Sequence, residues 1–328
     1  MENILEIRNL KTYYLSREGE VKAVDGVNMA VRYDESFGVI GESGSGKSTV
    51  GLSILRLVPH PGKILDGTIL FEGEDLLKKT DEEMRQIRGG KIAMVFQDPM
   101  SSLNPVLTIG DQLGEAIRLH QICEDDEVQN RVIEALKSVG ISHADRIING
   151  YPHELSGGMR QRVMIAMAIS CRSSILIADE ATTNLDVTIQ AQILDLIRNL
   201  KEQLKMSVIL VTHDLGVIAE NCDRVAVMYA GKVMEISACM DIFYKPLHPY
   251  TSALIKSFPH IEANIERFTE IRGSVPRLVD PPDGCRFEDR CDFSIDMCSK
   301  ESPPMLECEP GHWVSCFRAK ELDLGESL

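Results

Sequence analysis

The sequence predicts an α/β fold with a largely parallel sheet. Three observations support this prediction: apolar strand patterns alternate with helical ones, one strand enters a glycine-rich loop, and another ends in two carboxylates. The strand patterns lie at residues 4–10, 21–31, 37–40, 92–96, 175–178, 208–212 and 224–229. Strands that alternate with helices are typical of a mostly parallel sheet covered on both faces.

Length and charge limit the classes of protein to consider. The chain has 328 residues, with 35 basic and 50 acidic side chains and a net charge of −15. This length predicts two domains. The negative charge disfavours a nucleic-acid backbone or an anionic lipid surface as a general partner. Neither a secretory signal nor an apolar run of about 18 residues is present, so we expect a cytoplasmic protein with reduced thiols.

The strand at residues 37–40 enters a phosphate-binding loop, and a helix pattern at 50–57 follows it before Pro59. Glycines allow successive backbone N–H groups to converge on phosphate oxygens at the start of a helix. In this pattern Lys47 reaches the β- and γ-phosphates and Ser48 coordinates Mg²⁺. A chance glycine-rich turn is the weaker alternative. The sequence therefore predicts a nucleoside triphosphate site made of Gly41, Glu42, Ser43, Gly44, Ser45, Gly46, Lys47, Ser48 and Thr49.

Two carboxylates, Asp179 and Glu180, follow the apolar strand at 175–178. If this strand lies beside the one that precedes the phosphate loop, Asp179 is near the metal ion and Glu180 can activate the attacking water. Phosphoryl transfer needs both roles together with neutralisation of charge. Acidic residues at strand ends are common, so the pair gains its weight from the phosphate loop upstream.

A second anion-binding pattern, at residues 155–162, lies in the helix-rich region 99–172 and precedes a helix predicted at 163–170. Ser156 can cap this helix, and Gly157 and Gly158 leave its first N–H groups accessible to an anion. The plain alternative is a capped helix with a flexible entry. One chain does not need two phosphate cradles, unless another subunit supplies the second nucleotide.

With these residues in place, the chain resembles the ATP-binding subunits of ABC transporters over residues 1–255. Residues 155–158 match the signature sequence of that family, and the loop at 184–186 resembles the one that crosses its dimer interface. Tyr14, or its neighbour Tyr13, resembles the aromatic residue that stacks on adenine in this family. Gln97 resembles its γ-phosphate sensor, and His213 resembles its switch histidine. On its own, a histidine at a strand end is more often structural. Ala181 and Asn184 depart from the usual family residues.

The resemblance implies a head-to-tail dimer with two ATP molecules between the subunits. One subunit supplies residues 41–49, Gln97, Asp179, Glu180 and His213, and the other supplies Ser156, Gly157 and Gly158. Asp186, on the loop that crosses the interface, is a further implied nucleotide-binding residue. It further implies that Mg²⁺ is held by Ser48, Gln97 and Asp179. The implied fold is a P-loop ABC ATPase domain, 1–255, with a mostly parallel sheet core and a helical subdomain at about 99–172.

Residues 97–105 and 248–251 resemble the dipeptide and oligopeptide branch of these importers. This branch implies import of peptides, with the segment after Gln97 receiving a helix of a membrane subunit. The implied partners are a related ATPase subunit in a heterodimer, two membrane permease subunits and an extracytoplasmic solute-binding protein. The implied location is the cytoplasmic face of the membrane. Nickel and oligosaccharide importers remain as alternatives.

After about residue 250 the sequence becomes rich in proline and cysteine, which predicts a small irregular domain at 256–328. Four thiolates in a segment with little apolar core are suited to an iron–sulfur cluster. The resemblance assigns a [4Fe–4S] cluster to Cys285, Cys291, Cys298 and Cys316, and leaves Cys308 as an extra thiol. Zinc or uncoordinated thiols are the alternatives, with His312 as a further possible ligand.

Two further hypotheses come from other classes of protein. One is a soluble ABC ATPase of DNA repair or translation, which generally has long coiled coils, two cassettes or a basic surface. The chain has a single cassette, no sustained heptads and a negative charge. The other is a redox-responsive regulator in which ATP binding acts as a gate.

Overall fold

The computed structural model describes residues 2–98, 102–183, 185–257 and 271–325. In these ranges the strands are β1 (Asn3–Ser16), β2 (Gly19–Arg32), β3 (Ser36–Ile40), β4 (Gly62–Phe71), β5 (Glu74–Asp75), β6 (Ile92–Val95), β7 (Ile175–Asp179), β8 (Ser207–Thr212), β9 (Arg224–Tyr229), β10 (Lys232–Ala238), β11 (Leu306–Glu309) and β12 (His312–Val314). The α helices are α1 (Lys47–Ile54), α2 (Asp81–Ile87), α3 (Ile109–His120), α4 (Asp125–Ser138), α5 (Ala144–Ile147), α6 (Gly157–Ile169), α7 (Val187–Leu204), α8 (Leu215–Asn221), α9 (Cys239–Tyr244) and α10 (Pro249–Lys256). No helix in these ranges is both long and apolar enough to cross a membrane.

The chain divides into two compact units. The first unit joins Met1–Leu77 to Leu210–Leu328, and the second is Lys78–Ile209. The predicted boundary at residue 255 does not coincide with this division, because the cysteine-rich tail falls in the same unit as the phosphate loop. The predicted helical subdomain, 99–172, lies within the second unit.

The N-terminal sheet of the first unit is antiparallel, in the order β2-β1-β4-β5. Ile7 on the central strand pairs with Met29 on one side and Ile69 on the other. All three side chains are at least 95 % buried. Short connections join β1 to β2 and β4 to β5, and such connections permit only antiparallel pairing. The expectation of a largely parallel sheet is therefore wrong here, and the strand arrangement is mixed.

The other strands of the first unit follow the order β11-β12-β10-β9-β3. β3 and β9 are parallel, and Val39 pairs with Ala226. β10 is antiparallel to both β9 and β12. The tail was predicted to be irregular, but residues 306–314 form a hairpin whose second strand pairs with β10.

An aromatic cluster fixes the tail to the rest of the first unit. The rings of Tyr229 and Tyr250 lie 4.6 Å apart, and Phe287 of the tail lies 5.3 Å from each. Ile271 and Leu278 pack against the same core. Aromatic side chains bury large apolar areas and gain further from tilted ring contacts. The described tail therefore shares a core with the strands, although its sequence predicted little core of its own.

The second unit contains the parallel pair β6 and β7, with Val95 opposite Ala178. Helices α3 and α4 pack against α6, and their buried residues recur at helical spacing, as in Val128, Val132 and Leu136. Helix α4, residues 125–138, lies within the helix-rich region expected at 99–172. Since parallel strands end at the same edge, β6 and β7 bring Gln97 and Asp179 to one side of this pair.

The buried His248 makes the stability of the first unit depend on pH. Its ring is buried, and Nδ1 accepts a hydrogen bond from the backbone N–H of Tyr250 at 2.9 Å. Burial lowers the pKa of His248 from 6.5 to about 3, against a smaller opposing effect of a hydrogen bond to the Ser315 backbone. Between these two pKa values the unfolded chain takes up a proton that the folded chain excludes, so stability falls as the pH drops.

We expect His248→Asn to keep the helix cap but to reduce this dependence on pH. Between pH 7 and pH 5 the wild-type protein should lose about 2 kcal/mol more unfolding free energy than the variant. Urea denaturation at the two pH values measures the difference. Equal losses in the two proteins would contradict the assignment.

Candidate functional site

The phosphate loop connects β3 to α1 and requires glycine at particular positions. Gly46 has a φ of +99°, and a Cβ atom there would lie 2.1 Å from the Ala23 carbonyl oxygen. Gly44 also has a positive φ, +78°, but a Cβ atom there would have no neighbour within 4 Å. Lys47 is buried, and its Nζ donates to the carbonyl oxygens of Gly41 at 2.8 Å and Glu42 at 3.1 Å. The loop thus curls around its own lysine, with the first turn of α1 behind it.

Gly46→Ala is expected to weaken nucleotide binding about 100-fold or more, because the new methyl group collides with the Ala23 carbonyl and displaces the loop. Losing two hydrogen bonds to a charged phosphate costs ~3 kcal/mol or more, which is about 100-fold in Kd. Gly44→Ala is the matched control, since it adds backbone strain at a positive φ without a collision. Titration with a fluorescent ATP analogue compares them. Equal weakening of binding in both variants would contradict the role of close packing at Gly46.

Glu42 is held by residues far away in the sequence. Its backbone N–H donates to the Tyr250 hydroxyl at 3.0 Å. Its carboxylate accepts two hydrogen bonds from the Arg290 guanidinium, at 2.9 and 3.3 Å. The sequence indicates Glu42 only as a member of the loop. Its partners Tyr250 and Arg290 could not be predicted, because no local pattern links residues more than 200 positions apart.

The two candidate adenine-stacking aromatics are in different environments. The Tyr13 hydroxyl donates to Asp25 at 2.7 Å, and the Lys22 ammonium lies 5.9 Å from the Tyr13 ring centre. Tyr14 pairs with Gly62 on β4, and a Cβ atom on Gly62 would lie 2.6 Å from the Tyr14 ring. Tyr13 is therefore engaged with charged neighbours, whereas Tyr14 lies on a small residue.

In the second unit the structure brings Gln97 and Glu180 together. Gln97 Nε2 donates to Glu180 Oε2 at 2.6 Å, and the Thr183 hydroxyl donates to the same oxygen at 3.3 Å. Asp179, directly before Glu180, is buried and is the last residue of β7. The carboxylate pair and the glutamine thus lie at the carboxyl ends of the parallel strands β6 and β7. The expected pairing of β7 with the strand before the phosphate loop is wrong, because β7 pairs here with β6.

Glu180 has a backbone conformation that sequence reasoning missed. Its φ is +45°, in the left-handed region that few residues other than glycine adopt. Such conformations cost about 1–3 kcal/mol and are concentrated at functional sites. The Thr183 N–H donates to the Glu180 carbonyl at 3.0 Å, so a turn begins directly after β7 at the residue predicted to act on water.

The predicted signature segment adjoins the start of α7, which includes Asp186 of the predicted interface loop, in the second unit. Ser156 caps α6 by accepting from the Met159 N–H at 3.3 Å, and Asp186 caps α7 by accepting from the Ile189 N–H at 3.0 Å. A Cβ atom on Gly158 would lie 3.0 Å from Ile189, so the two helix starts are close neighbours. Ser156 and Gly157 are exposed, and Asn184 lies outside the described residues. An exposed helix start of this kind can bind an anion.

His213 lies in the first unit, directly after β8, and is exposed. The next residue, Asp214, caps α8 by accepting from the N–H groups of Gly216 and Val217. In the segment predicted to receive a membrane subunit, residues 99–101 lie outside the described residues. Beyond them, Leu103 is buried whereas Val106 is 76 % exposed.

The four predicted cluster cysteines line one cavity of the first unit, together with Phe287 and His248. Burial, with repulsion from the neighbouring thiolates adding to it, raises the pKa of Cys285 to about 12 and that of Cys291 to about 11. The same causes raise the pKa of Cys316. A raised pKa favours the protonated thiol, and a bound cation would favour the thiolate at these three cysteines.

Other features around these cysteines refine the predicted ligand set. Cys308 does not line the cavity and lies on β11. His312 is buried, and its Nε2 lies 2.7 Å from a carboxylate oxygen of Glu235, so its ring is directed to β10 rather than to the thiols. None of the nine cysteines, all of which lie in the described ranges, forms a disulfide. No three His, Cys, Asp or Glu side chains in the described part of the chain have the geometry of a metal site.

Two family models match separate parts of the chain. The model described as ABC transporter matches residues 24–183. The model described as the C-terminal region of oligopeptide/dipeptide transporters matches residues 234–298. The first match contains the phosphate loop, the signature segment and the acidic pair, and the second contains three of the four clustered cysteines.

Relatives match along almost the whole length. The oligopeptide transport ATP-binding protein AppD of Bacillus subtilis is 48 % identical, with 98 % of each chain covered. The dipeptide transport ATP-binding protein DppD of the same organism is also 48 % identical, over 97 % of this chain and 95 % of its own. Among solved structures, the dimeric post-hydrolysis state of the ATP-binding cassette MJ0796 bound to ADP and Pi matches with a TM-score of 0.65 and 29 % identity. That match covers 72 % of this chain and 98 % of the other.

Proposed function

This chain belongs to the ATP-binding subunits of the dipeptide and oligopeptide ABC transporters, and on that premise we propose the residues, partners and cofactor with which it works. It is the ATP-hydrolysing subunit that powers peptide import. Two alternatives are not favoured: import of nickel or an oligosaccharide, and a non-transport ATPase with a regulatory tail. The relatives that are 48 % identical over almost the whole chain are named as oligopeptide and dipeptide transport proteins.

The contact between Gln97 and Glu180, beside the buried Asp179, is the observation that carries the proposed catalytic roles. Glu180 orients the attacking water and accepts its proton, and Gln97 reports the presence of the γ-phosphate. Lys47 and the loop N–H groups bind the β- and γ-phosphates, and His213 contacts the γ-phosphate. Ser48, Gln97 and Asp179 hold Mg²⁺, which neutralises phosphate charge.

The exposed signature segment supports a composite site between two ATPase subunits. Ser156, Gly157 and Gly158 start α6 with accessible N–H groups, and we assign them, with Asp186, to the nucleotide held by the other subunit's phosphate loop. Tyr14 stacks on adenine. The proposed partners are a related ATPase subunit in a heterodimer, two membrane permease subunits and an extracytoplasmic solute-binding protein. The chain then works at the cytoplasmic face of the membrane, attached through protein rather than lipid.

A [4Fe–4S] cluster held by Cys285, Cys291, Cys298 and Cys316 is the proposed cofactor of the tail. The donor set fits such a group: four thiols share one cavity, and burial raises the pKa of Cys285, Cys291 and Cys316, an effect that a cationic centre would reverse. No three of the described ligand residues have metal-site geometry, so ligation requires the thiols to converge further. Iron and acid-labile sulfide analysis of anaerobically prepared protein tests the proposal. One equivalent of zinc without sulfide would contradict it.

Co-purification from the native host, followed by peptide uptake in vesicles made with the recovered complex, tests the proposed function. We expect two permease subunits and a second ATPase chain to accompany this one, and uptake of a labelled peptide to require MgATP. Uptake that continues without ATP hydrolysis would contradict the proposal. Recovery of two identical ATPase chains would contradict the heterodimer alone.

A further inference from the structure

We propose that Arg290 is a positioning residue for the phosphate loop, through which the cysteine-rich tail sets the affinity for ATP. The inference rests on the proposed function, since it assumes that this loop binds ATP. Arg290 acts through Glu42, the second residue of the loop, rather than on the phosphates directly.

Arg290 has the contacts of a fixed structural group. Its guanidinium pairs with both carboxylate oxygens of Glu42, and Nη1 also donates to the Tyr229 hydroxyl at 3.0 Å. Nε donates to the Arg272 carbonyl at 2.7 Å. The side chain is 6 % exposed, and the guanidinium carbon lies 5.6 Å from the Tyr229 ring centre. A planar guanidinium paired in this two-pronged way fixes direction as well as distance.

Glu42 transmits this position to the lysine of the loop. Its carbonyl oxygen accepts from Lys47 Nζ and, at 3.2 Å, from the backbone N–H of Ser45. Its own N–H is held by Tyr250. A shift of the Glu42 backbone therefore displaces both an acceptor of Lys47 and the turn that directs the loop N–H groups.

The other end of the connection lies among the cysteines. Arg290 ends a short 3₁₀ turn, Glu288–Arg290, that is bounded by Cys285 and Cys291. The Glu288 N–H donates to the Cys285 carbonyl at 3.0 Å, and the Cys291 N–H donates to the Glu288 carbonyl at 3.1 Å. Any change that opens this turn, including loss of a group bound by the thiols, moves Arg290 with it. The tail and the loop are thus joined by one ion pair.

Arg290→Gln removes this pair, and Arg272→Gln is the matched control in the same segment. The Arg272 side chain is 86 % exposed, and its Nη1 lies 3.6 Å from Asp292. We expect Arg290→Gln to weaken binding of a fluorescent ATP analogue about tenfold, within the usual range of couplings between sites. The control should change Kd by less than about twofold, because exposed ion pairs contribute little.

Two further measurements separate positioning from a purely structural role. The double variant Glu42→Gln/Arg290→Gln should have a Kd no higher than the higher Kd of the two single variants, because both changes break the same connection. Arg290→Lys should recover part of the affinity. A lower Tm with unchanged Kd in Arg290→Gln, or fully additive effects in the double variant, would overturn the proposal.

Hydrogen exchange of the wild-type chain covers the case in which Arg290→Gln does not fold. By reciprocity, MgATP should slow exchange of the backbone amides at residues 288–291 by a factor of about ten, and Glu42→Gln should remove this effect. Unchanged exchange in the wild type with saturating nucleotide would overturn the inference. None of these measurements depends on peptide uptake, so a failure of the transport function leaves them interpretable.

Discussion

Glu180→Gln is expected to abolish ATP hydrolysis while leaving MgATP binding close to that of the wild type. The amide keeps the shape of the side chain and can still bond to Thr183, but it cannot accept a proton from water. Loss of a general base typically lowers the rate by a factor of about 10²–10⁴. Phosphate release measures the rate, and a fluorescent ATP analogue measures binding.

Glu202→Gln is the matched control for this substitution, since Glu202 is exposed on α7 and belongs to neither predicted site. We expect it to retain full activity. Peptide uptake should stop in Glu180→Gln together with hydrolysis. Hydrolysis at the wild-type rate in Glu180→Gln would contradict the role of Glu180 as the general base. It would not contradict the assignment of the ATP-binding residues.

If the tail holds the proposed [4Fe–4S] cluster, Cys291→Ser is expected to lose its iron, whereas Cys308→Ser should keep it. Cys291 lines the shared cavity with three other cysteines, and Cys308 does not. A serine hydroxyl is a harder and much less acidic donor than a thiol, and it binds the iron of such a cluster more weakly than a thiolate does. Wild-type protein and Cys308→Ser should each contain about four iron atoms per chain, as a [4Fe–4S] cluster requires.

Iron and sulfide assays on protein prepared without oxygen measure this difference, and an absorbance band at about 400 nm gives a first indication of the cluster. Because the tail shares a core with β9 and α10, Cys291→Ser should also lower the Tm. Equal iron content in Cys291→Ser and Cys308→Ser would contradict the assigned ligand set. Loss of iron in Cys308→Ser alone would assign the fifth thiol instead.

Features carried by consecutive residues could be predicted from the sequence. The phosphate loop needs only nine adjacent residues and a preceding strand. The positions of Gln97 and Asp179 follow from parallel strands that end at one edge. The clustering of four cysteines on one cavity was also expected, although the resemblance and not the spacing selected which four.

Features that depend on distant residues could not be predicted. The pair between Arg290 and Glu42 joins positions 248 apart, and no local periodicity marks either residue. Strand β4 was missed because its apolar alternation is interrupted by Asp66 and Gly67, and only two of its ten residues are buried. Without β4, nothing indicated that the N-terminal strands form a separate antiparallel sheet.

The buried carboxylate of Glu235 has a consequence for exchanging parts between relatives. It accepts hydrogen bonds from the N–H groups of Leu247 and His248, and its third partner, His312, comes from the tail hairpin. A chimera joined at residue 255 would place a foreign tail against this strand. Unless that tail supplies a histidine at the same position, a fully buried carboxyl group loses one of its hydrogen-bond partners, which is destabilising. The cassette and its tail must therefore be transplanted as one piece.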